Sequence, residues 1–186
     1  MNNTYNLYIP NLGYGGSETW TINIVNALEK EKKKVNLFCL ASLKKDRIES
    51  LSKNINVKIT NRSNYFLTLI KFYKIIKSRK KNSSNIFLTQ RVIFAYALLD
   101  IIFNFNLDKV IFRFSVHNTF LKKHKVKDYN KLFNFFLNQI LLIYFKLKKP
   151  NVIFQSHDQF LDFNKNQKYI KYSNNLVIPN PVTIKD

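Results

Sequence analysis

One cysteine, three glycines and eleven acidic residues are what this chain of 186 residues has least of. The lone Cys39 closes no internal disulfide and furnishes no thiolate cluster for zinc or iron–sulfur chemistry, and it fits a reducing compartment. Three dispersed histidines, His117, His124 and His157, have no partners at metal-ligand spacing, so no metal is expected. Residues 1–6 carry no basic region and no apolar run, so no secretory signal is read and a cytoplasmic protein is expected. Long hydrophobic runs are missing as well. The most apolar stretches, 92–107 and 132–145, are interrupted by Asp100, Asn104 and Asn106 and by Asn134, Asn138 and Gln139, short of the ~20 apolar residues of a membrane span.

What is present is apolar, aromatic and basic. A length within the usual ~100–200 residues of one domain, with 46% hydrophobic and 15% aromatic residues, gives ample material for a core despite a net charge of +20. Of the 31 basic residues 26 are Lys and 5 are Arg, scattered through every segment, and Asn occurs 25 times. That is the signature of drift toward A- and T-rich codons; a nucleic-acid surface favours Arg and clusters its charge. The charge is therefore read mainly as a solvated surface, with anionic lipid, nucleic acid or phosphorylated substrate as the alternative.

The apolar pattern alternates short β-rich runs with helical ones. Strands are expected over 5–9, 35–40, 56–60, 85–89, 109–116, 151–155 and 176–178. Helices are expected over 17–33, 65–81, 90–105, 128–148 and 158–163. Strands separated by helices of this length need crossover connections, so the expected fold is α/β: a Rossmann-like, mainly parallel sheet with helices on both faces. Ligands of such folds gather at the carboxyl ends of the strands. The loop Gly13 to Glu18, the pair His117-Asn118 and the run Ser156-His157-Asp158 all fall there.

All three glycines lie within four positions, Gly13, Gly15 and Gly16. In so glycine-poor a chain this places backbone close to another group, or turns it where a Cβ would clash. The loop feeds a helix N-terminus suited to phosphate, with Gly15, Gly16, Ser17 and Glu18 as candidate binding residues; the plainer reading is a tight turn capped by Ser17. Glu18 stands where a dinucleotide fingerprint needs its third glycine, no carboxylate closes the second strand, and no Lys follows Gly16. NAD, FAD and P-loop nucleotide sites are thereby disfavoured. His117 is a candidate general base or sugar contact, Asn118 a candidate contact beside it, and both could equally be satisfied rim residues. Ser156 lacks the glycine flanks of a nucleophile elbow and reads as a helix cap. Cys39 reads as a buried strand residue.

Taken together, the segment Ile9 to Glu18, the run Ser115-Val116-His117-Asn118, residues 152–156 and Val177-Ile178-Pro179-Asn180-Pro181-Val182 resemble the GT-B glycosyltransferases of family four. The resemblance covers nearly the whole chain, as the N-terminal, acceptor-side domain only: 1–178 as a Rossmann-like domain and 179–186 as the start of the interdomain linker. It implies transfer of a sugar from a nucleotide-sugar, as co-substrate, to a saccharide or lipid-linked acceptor, with retention and no required metal. Gly15 and Gly16 would bring N–H groups to the phosphate or acceptor, and His117 would contact donor sugar or acceptor. One feature of the family is missing. Its donor-holding second domain carries two Glu spaced E-x7-E, whereas here Glu occurs only at 18, 29, 31 and 49. The expectation is half of a transferase, from a truncated frame, a fragment or a split enzyme, inactive without a donor domain or partner chain. It would work in the cytoplasm, peripherally on the anionic inner membrane face. A basic membrane-surface or nucleic-acid binding module, motivated by the interleaved aromatics and lysines of 65–81, is the competing reading.

Overall fold

The computed structural model describes residues 4–60, 64–79, 83–107, 109–114, 128–166 and 172–179. Its strands are β1 (Thr4–Leu12), β2 (Lys34–Leu43), β3 (Asn56–Ile59), β4 (Ser83–Leu88), β5 (Lys109–Arg113), β6 (Asn151–Phe154) and β7 (Asn175–Val177). They form one sheet of order β3-β2-β1-β4-β5-β6-β7 in which every pairing is parallel. Helices α1 (Gly16–Lys30), α2 (Lys45–Glu49), α3 (Tyr65–Lys77), α4 (Gln90–Phe103), α5 (Asp128–Lys148) and α6 (His157–Asn166) supply the crossovers. This is the expected α/β, Rossmann-like architecture.

Two apolar cores lie on the two faces of the sheet. Trp20, Ile22 and Val25 of α1 pack against Leu7, Ile9, Leu37 and Leu88. On the other face Phe72 and Ile76 of α3, most of α4, and Leu141 and Phe145 of α5 meet Tyr8, Phe38, Phe87 and Phe112. Those four rings stand in one cross-strand row, Phe38 to Tyr8 at 5.1 Å, Tyr8 to Phe87 at 4.7 Å and Phe87 to Phe112 at 5.9 Å. The aromatic share of the sequence is thus spent largely on the core.

Two residues earlier on β1, β2 and β4, and so on the same face, runs a row of asparagines that Asn56 of β3 continues. Asn56 donates to Asn36 at 3.0 Å, Asn36 to Asn6 at 2.8 Å and Asn6 to Asn85 at 3.0 Å, while Tyr8 also donates to Asn85 at 3.0 Å. Each amide satisfies its neighbour only when the four strands are in register, because a one-residue slip moves the whole row to the opposite face.

Several boundaries differ from the expected ones. β1 runs on through Pro10 to Leu12 by way of a bulge opposite β2 between Ile9 and Asn11, where a residue without an N–H is tolerated. Helix α1 starts at Gly16 and ends at Lys30, stopped by Lys32 in the left-handed region at φ 56°. In α3 Phe72 is buried and Ile70 exposed, so its inward stripe is Leu69, Phe72, Tyr73 and Ile76.

Candidate functional site

The strand order reverses between β1 and β4, the point at which helices switch from one face of the sheet to the other. There the two strands part. β1 pairs with β4 from Thr4 to Tyr8 only, yet continues along β2 as far as Leu12. A crevice therefore opens between the end of β1, which leads into Gly13 to Gly16, and the end of β4, which leads into Thr89.

On the β1 side, Gly15 is the extended residue that caps α1, and its carbonyl accepts from Thr19 N–H at 3.0 Å. This corrects the expected cap. Ser17 lies inside the first turn, where its carbonyl accepts from Thr21 Oγ1 at 2.7 Å, and no side chain caps the helix. The first-turn N–H groups thus keep their positive end toward the crevice, and Glu18 supplies a first-turn carboxylate that complements it. None of the glycines has positive φ. A Cβ at Gly16 would meet nothing within 4 Å and one at Gly13 only Asn11 Nδ2 at 3.9 Å, whereas one at Gly15 would clash with the Glu18 carboxylate, which would have to swing away. Backbone conformation requires glycine at none of the three, and packing does not require it at Gly13 or Gly16.

The loop is braced from β2. Lys44 N–H donates to Leu12 O at 3.2 Å, and the exposed Tyr14 ring lies 4.0 Å from Lys44 Nζ and 4.8 Å from Arg47 Cζ. Tyr14 also donates its hydroxyl to the Asp46 carboxylate, which holds that carboxyl below its usual range and the phenol above its own. Two basic residues, Lys44 and Arg47, consequently stand beside the glycine loop, with the Asp46 carboxylate between them on Tyr14.

Around the crevice three residues emerge that sequence reasoning passed over. Thr89 precedes α4 at φ 76° and ψ 147°, and its buried Oγ1 has no hydrogen-bond partner among the described residues. Trp20, one turn into α1, is buried, and its Nε1 likewise has no partner among the described residues. Arg113, at the end of β5 beside Leu88, is buried with its guanidinium 4.0 Å over the Trp20 ring, and burial lowers its pKa to about 10. The sequence signal for this pair was an Arg between Phe112 and Phe114 in an apolar strand and a lone Trp four residues after Gly16.

The chain matches no family model and no curated protein. Among solved structures it is similar to Anabaena Alr3699/HepE in complex with UDP and glucose, with a TM-score of 0.62 and 13% identity over 96% of this chain and 44% of that one. The HepE complex with UDP-glucose gives the same figures, and that with UDP gives 0.60 and 14% over 97% and 44%. What the likeness shows is the fold. The chain spans less than half the length of HepE.

Of the expected site residues, Gly15, Gly16, Ser17 and Glu18 share the crevice edge, whereas His117 and Asn118 lie outside the described residues. At the end of β6, Ser156 Oγ accepts from Gln159 N–H at 3.1 Å, as a cap of α6 does. Buried Gln159 in turn donates to Phe114 O at 3.3 Å, tying the ends of β5 and β6 together. Cys39 is buried within β2, where desolvation pushes its thiol up to about 12.

Proposed function

We propose that this chain is the acceptor-side half of a GT-B glycosyltransferase of family four, transferring a sugar from a nucleotide-sugar to a saccharide or lipid-linked acceptor. Residues 1–178 form its domain, and the run from Pro179 begins the linker to a donor-binding half. The reading is supported by a fold shared with a protein that binds UDP and UDP-glucose, and by the family-like loop, strand-end and linker motifs.

The observation that carries it is Gly16. Three glycines cluster at the switch-point crevice, and at Gly16 neither backbone conformation nor packing asks for one, so close approach of a ligand supplies its reason. N–H groups of the first turn of α1, which no side chain caps, then face the diphosphate or the acceptor once the Glu18 carboxylate swings aside, and Lys44 and Arg47 add positive potential. His117 and Asn118, which follow β5 in the sequence, contact the donor sugar or acceptor. A departing nucleotide diphosphate needs donors and cations on both walls of a closed cleft, and these residues supply one wall. The chain by itself accordingly turns over little or no nucleotide-sugar.

Titration of the labelled chain with UDP-glucose, followed by NMR, tests this. Shifts should concentrate at residues 13–18 and 89–93. Gly16→Val should abolish them with an unchanged melting temperature, because a Cβ there meets no atom and valine is no worse than glycine in a helix. Shifts confined elsewhere, or unaffected by Gly16→Val, refute the site. Turnover by the chain alone at an ordinary 1–10³ per second (roughly) refutes the half-enzyme.

A further inference from the structure

The second crowded end of the molecule is the one opposite the crevice, where α4 and α5 finish side by side. Tyr144 of α5 donates to Asp100 of α4 at 2.9 Å, and Lys148 of α5 donates to Asn104 just past α4. These bonds bring Ile101 and Ile102 level with Ile143 and Leu147. All four are exposed, Ile102 to 61%, Ile143 to 48% and Leu147 to 66%. At 100° per residue Phe136, Ile143 and Leu147 fall within about 40° of one another, directly opposite the buried Leu141 and Phe145. Phe136, 58% exposed, extends the stripe halfway up α5. Lysines frame it: Lys109, Lys146, Lys148 and Lys149 are exposed around the same end. Among the described residues the carboxylate at this end is Asp100, which is buried and already accepts from Tyr144 and from Phe105 N–H at 2.7 Å.

We propose that the outer face of α5, with the end of α4, is a docking surface for an anionic phospholipid bilayer. Apolar side chains ringed by lysines are what an interfacial helix presents: the first enter the acyl boundary and the second meet headgroup phosphates. Charge decides between occupants. A second copy of a chain at +20 would be repelled from this lysine-ringed face, whereas an anionic leaflet is drawn to it. A pocket of about 220 Å³ opens at the same end; Lys148, Lys149, Ser173 and Asn106 in its wall suit a phosphate-bearing headgroup, and the Asp100 carboxylate, also in the wall, is taken up by Tyr144 and Phe105 N–H. Among the described residues no helix is long and apolar enough to cross a membrane. The proposal places α3 elsewhere: Phe72 and Ile76 are spent in the core, leaving its lysines as a solvated face. It gives the peripheral membrane contact expected from the sequence a place on the molecule, on α5 and α4, and it can fail while the transferase reading stands.

Co-sedimentation of the chain with phosphatidylcholine vesicles, with and without phosphatidylglycerol, tests the surface. Binding should require phosphatidylglycerol and disappear in Ile143→Glu/Leu147→Glu, whose sites are exposed and whose melting should match wild type. It should weaken about fivefold per lysine in Lys148→Gln/Lys149→Gln, from ~1 kcal/mol per Lys near the membrane. Lys71→Gln/Lys74→Gln/Lys77→Gln should bind as wild type. Binding lost in the α3 variant instead, or indifferent to Ile143→Glu/Leu147→Glu, overturns the proposal. So does a dimer in sedimentation that those two substitutions dissolve, or an oligonucleotide displacing the vesicles with the α5 variants binding it unchanged.

Discussion

At Thr89 a β-branched residue holds φ 76° and ψ 147°, a conformation that glycine alone enters without strain of about 1–3 kcal/mol. The carbonyl of Thr89 starts α4 by accepting from Ile93 N–H at 3.1 Å, so the fold can keep this strain only by holding both strand and helix in place. Thr89→Gly removes the strain at the cost of a freer unfolded chain, about 0.5–1 kcal/mol. The net expectation is a variant more stable by about 1 kcal/mol in urea unfolding, with UDP-glucose shifts at 89–93 diminished. A less stable variant would show that Thr89 is not strained. Residue type gave no warning, since Thr is an ordinary strand-end residue, and its backbone angle is imposed by the strand-to-helix junction. Glycine was legible at 13, 15 and 16 because it is absent everywhere else. Ser17 misled because serine usually outranks glycine as an N-cap, and here the glycine one place before the helix takes that role.

Among the elements, the alternation of strands and helices was readable because buried parallel strands are short apolar runs and their crossovers are long. What could not be read was partnership. Asn6, Asn36, Asn56 and Asn85 each look like the polar beat of a half-exposed strand, yet Asn6, Asn36 and Asn85 are buried and satisfied only across strands far apart in sequence. The same limit hid Arg113 and Trp20, whose contact joins β5 to α1. Asn85→Ala orphans two buried donors at once, Asn6 Nδ2 and the Tyr8 hydroxyl, at about 1–3 kcal/mol each. Asn56→Ala, at the exposed margin of the row, orphans one acceptor beside solvent. Urea unfolding should therefore place Asn85→Ala at least 1 kcal/mol below Asn56→Ala. Equal losses would mean that the row contributes hydrogen bonds singly and does not secure register.

For the whole molecule, charge was the most conspicuous number in the sequence and the least informative about fold, because lysines scattered over every element leave the core untouched. Its effect on stability is entangled with groups inside. Burial raises the pKa of Tyr8, Tyr96 and Tyr144 above the ordinary phenol value, and that of Cys39 from 9.0 to about 12. The unfolded chain loses these protons first, so stability falls as pH rises through the unfolded values. Arg113 acts oppositely: its folded pKa of about 10 lies below the ordinary 12.5, so between those values the unfolded chain binds the extra proton and stability rises. Loss of lysine charge near about pH 10 also relieves self-repulsion, so the absolute curve mixes three contributions. A difference between variants isolates one of them. Cys39→Val preserves an apolar side chain of similar size inside β2 and removes the thiol, leaving every lysine, tyrosine and arginine as it was. Below about pH 9 the two proteins should keep a constant stability difference; above it the wild type should lose about 1 kcal/mol per pH unit relative to Cys39→Val, until the folded thiol itself ionises. A difference that stays flat from neutral pH to about pH 11 would mean that the β2 thiol reaches solvent and the central strands open more readily than their burial implies.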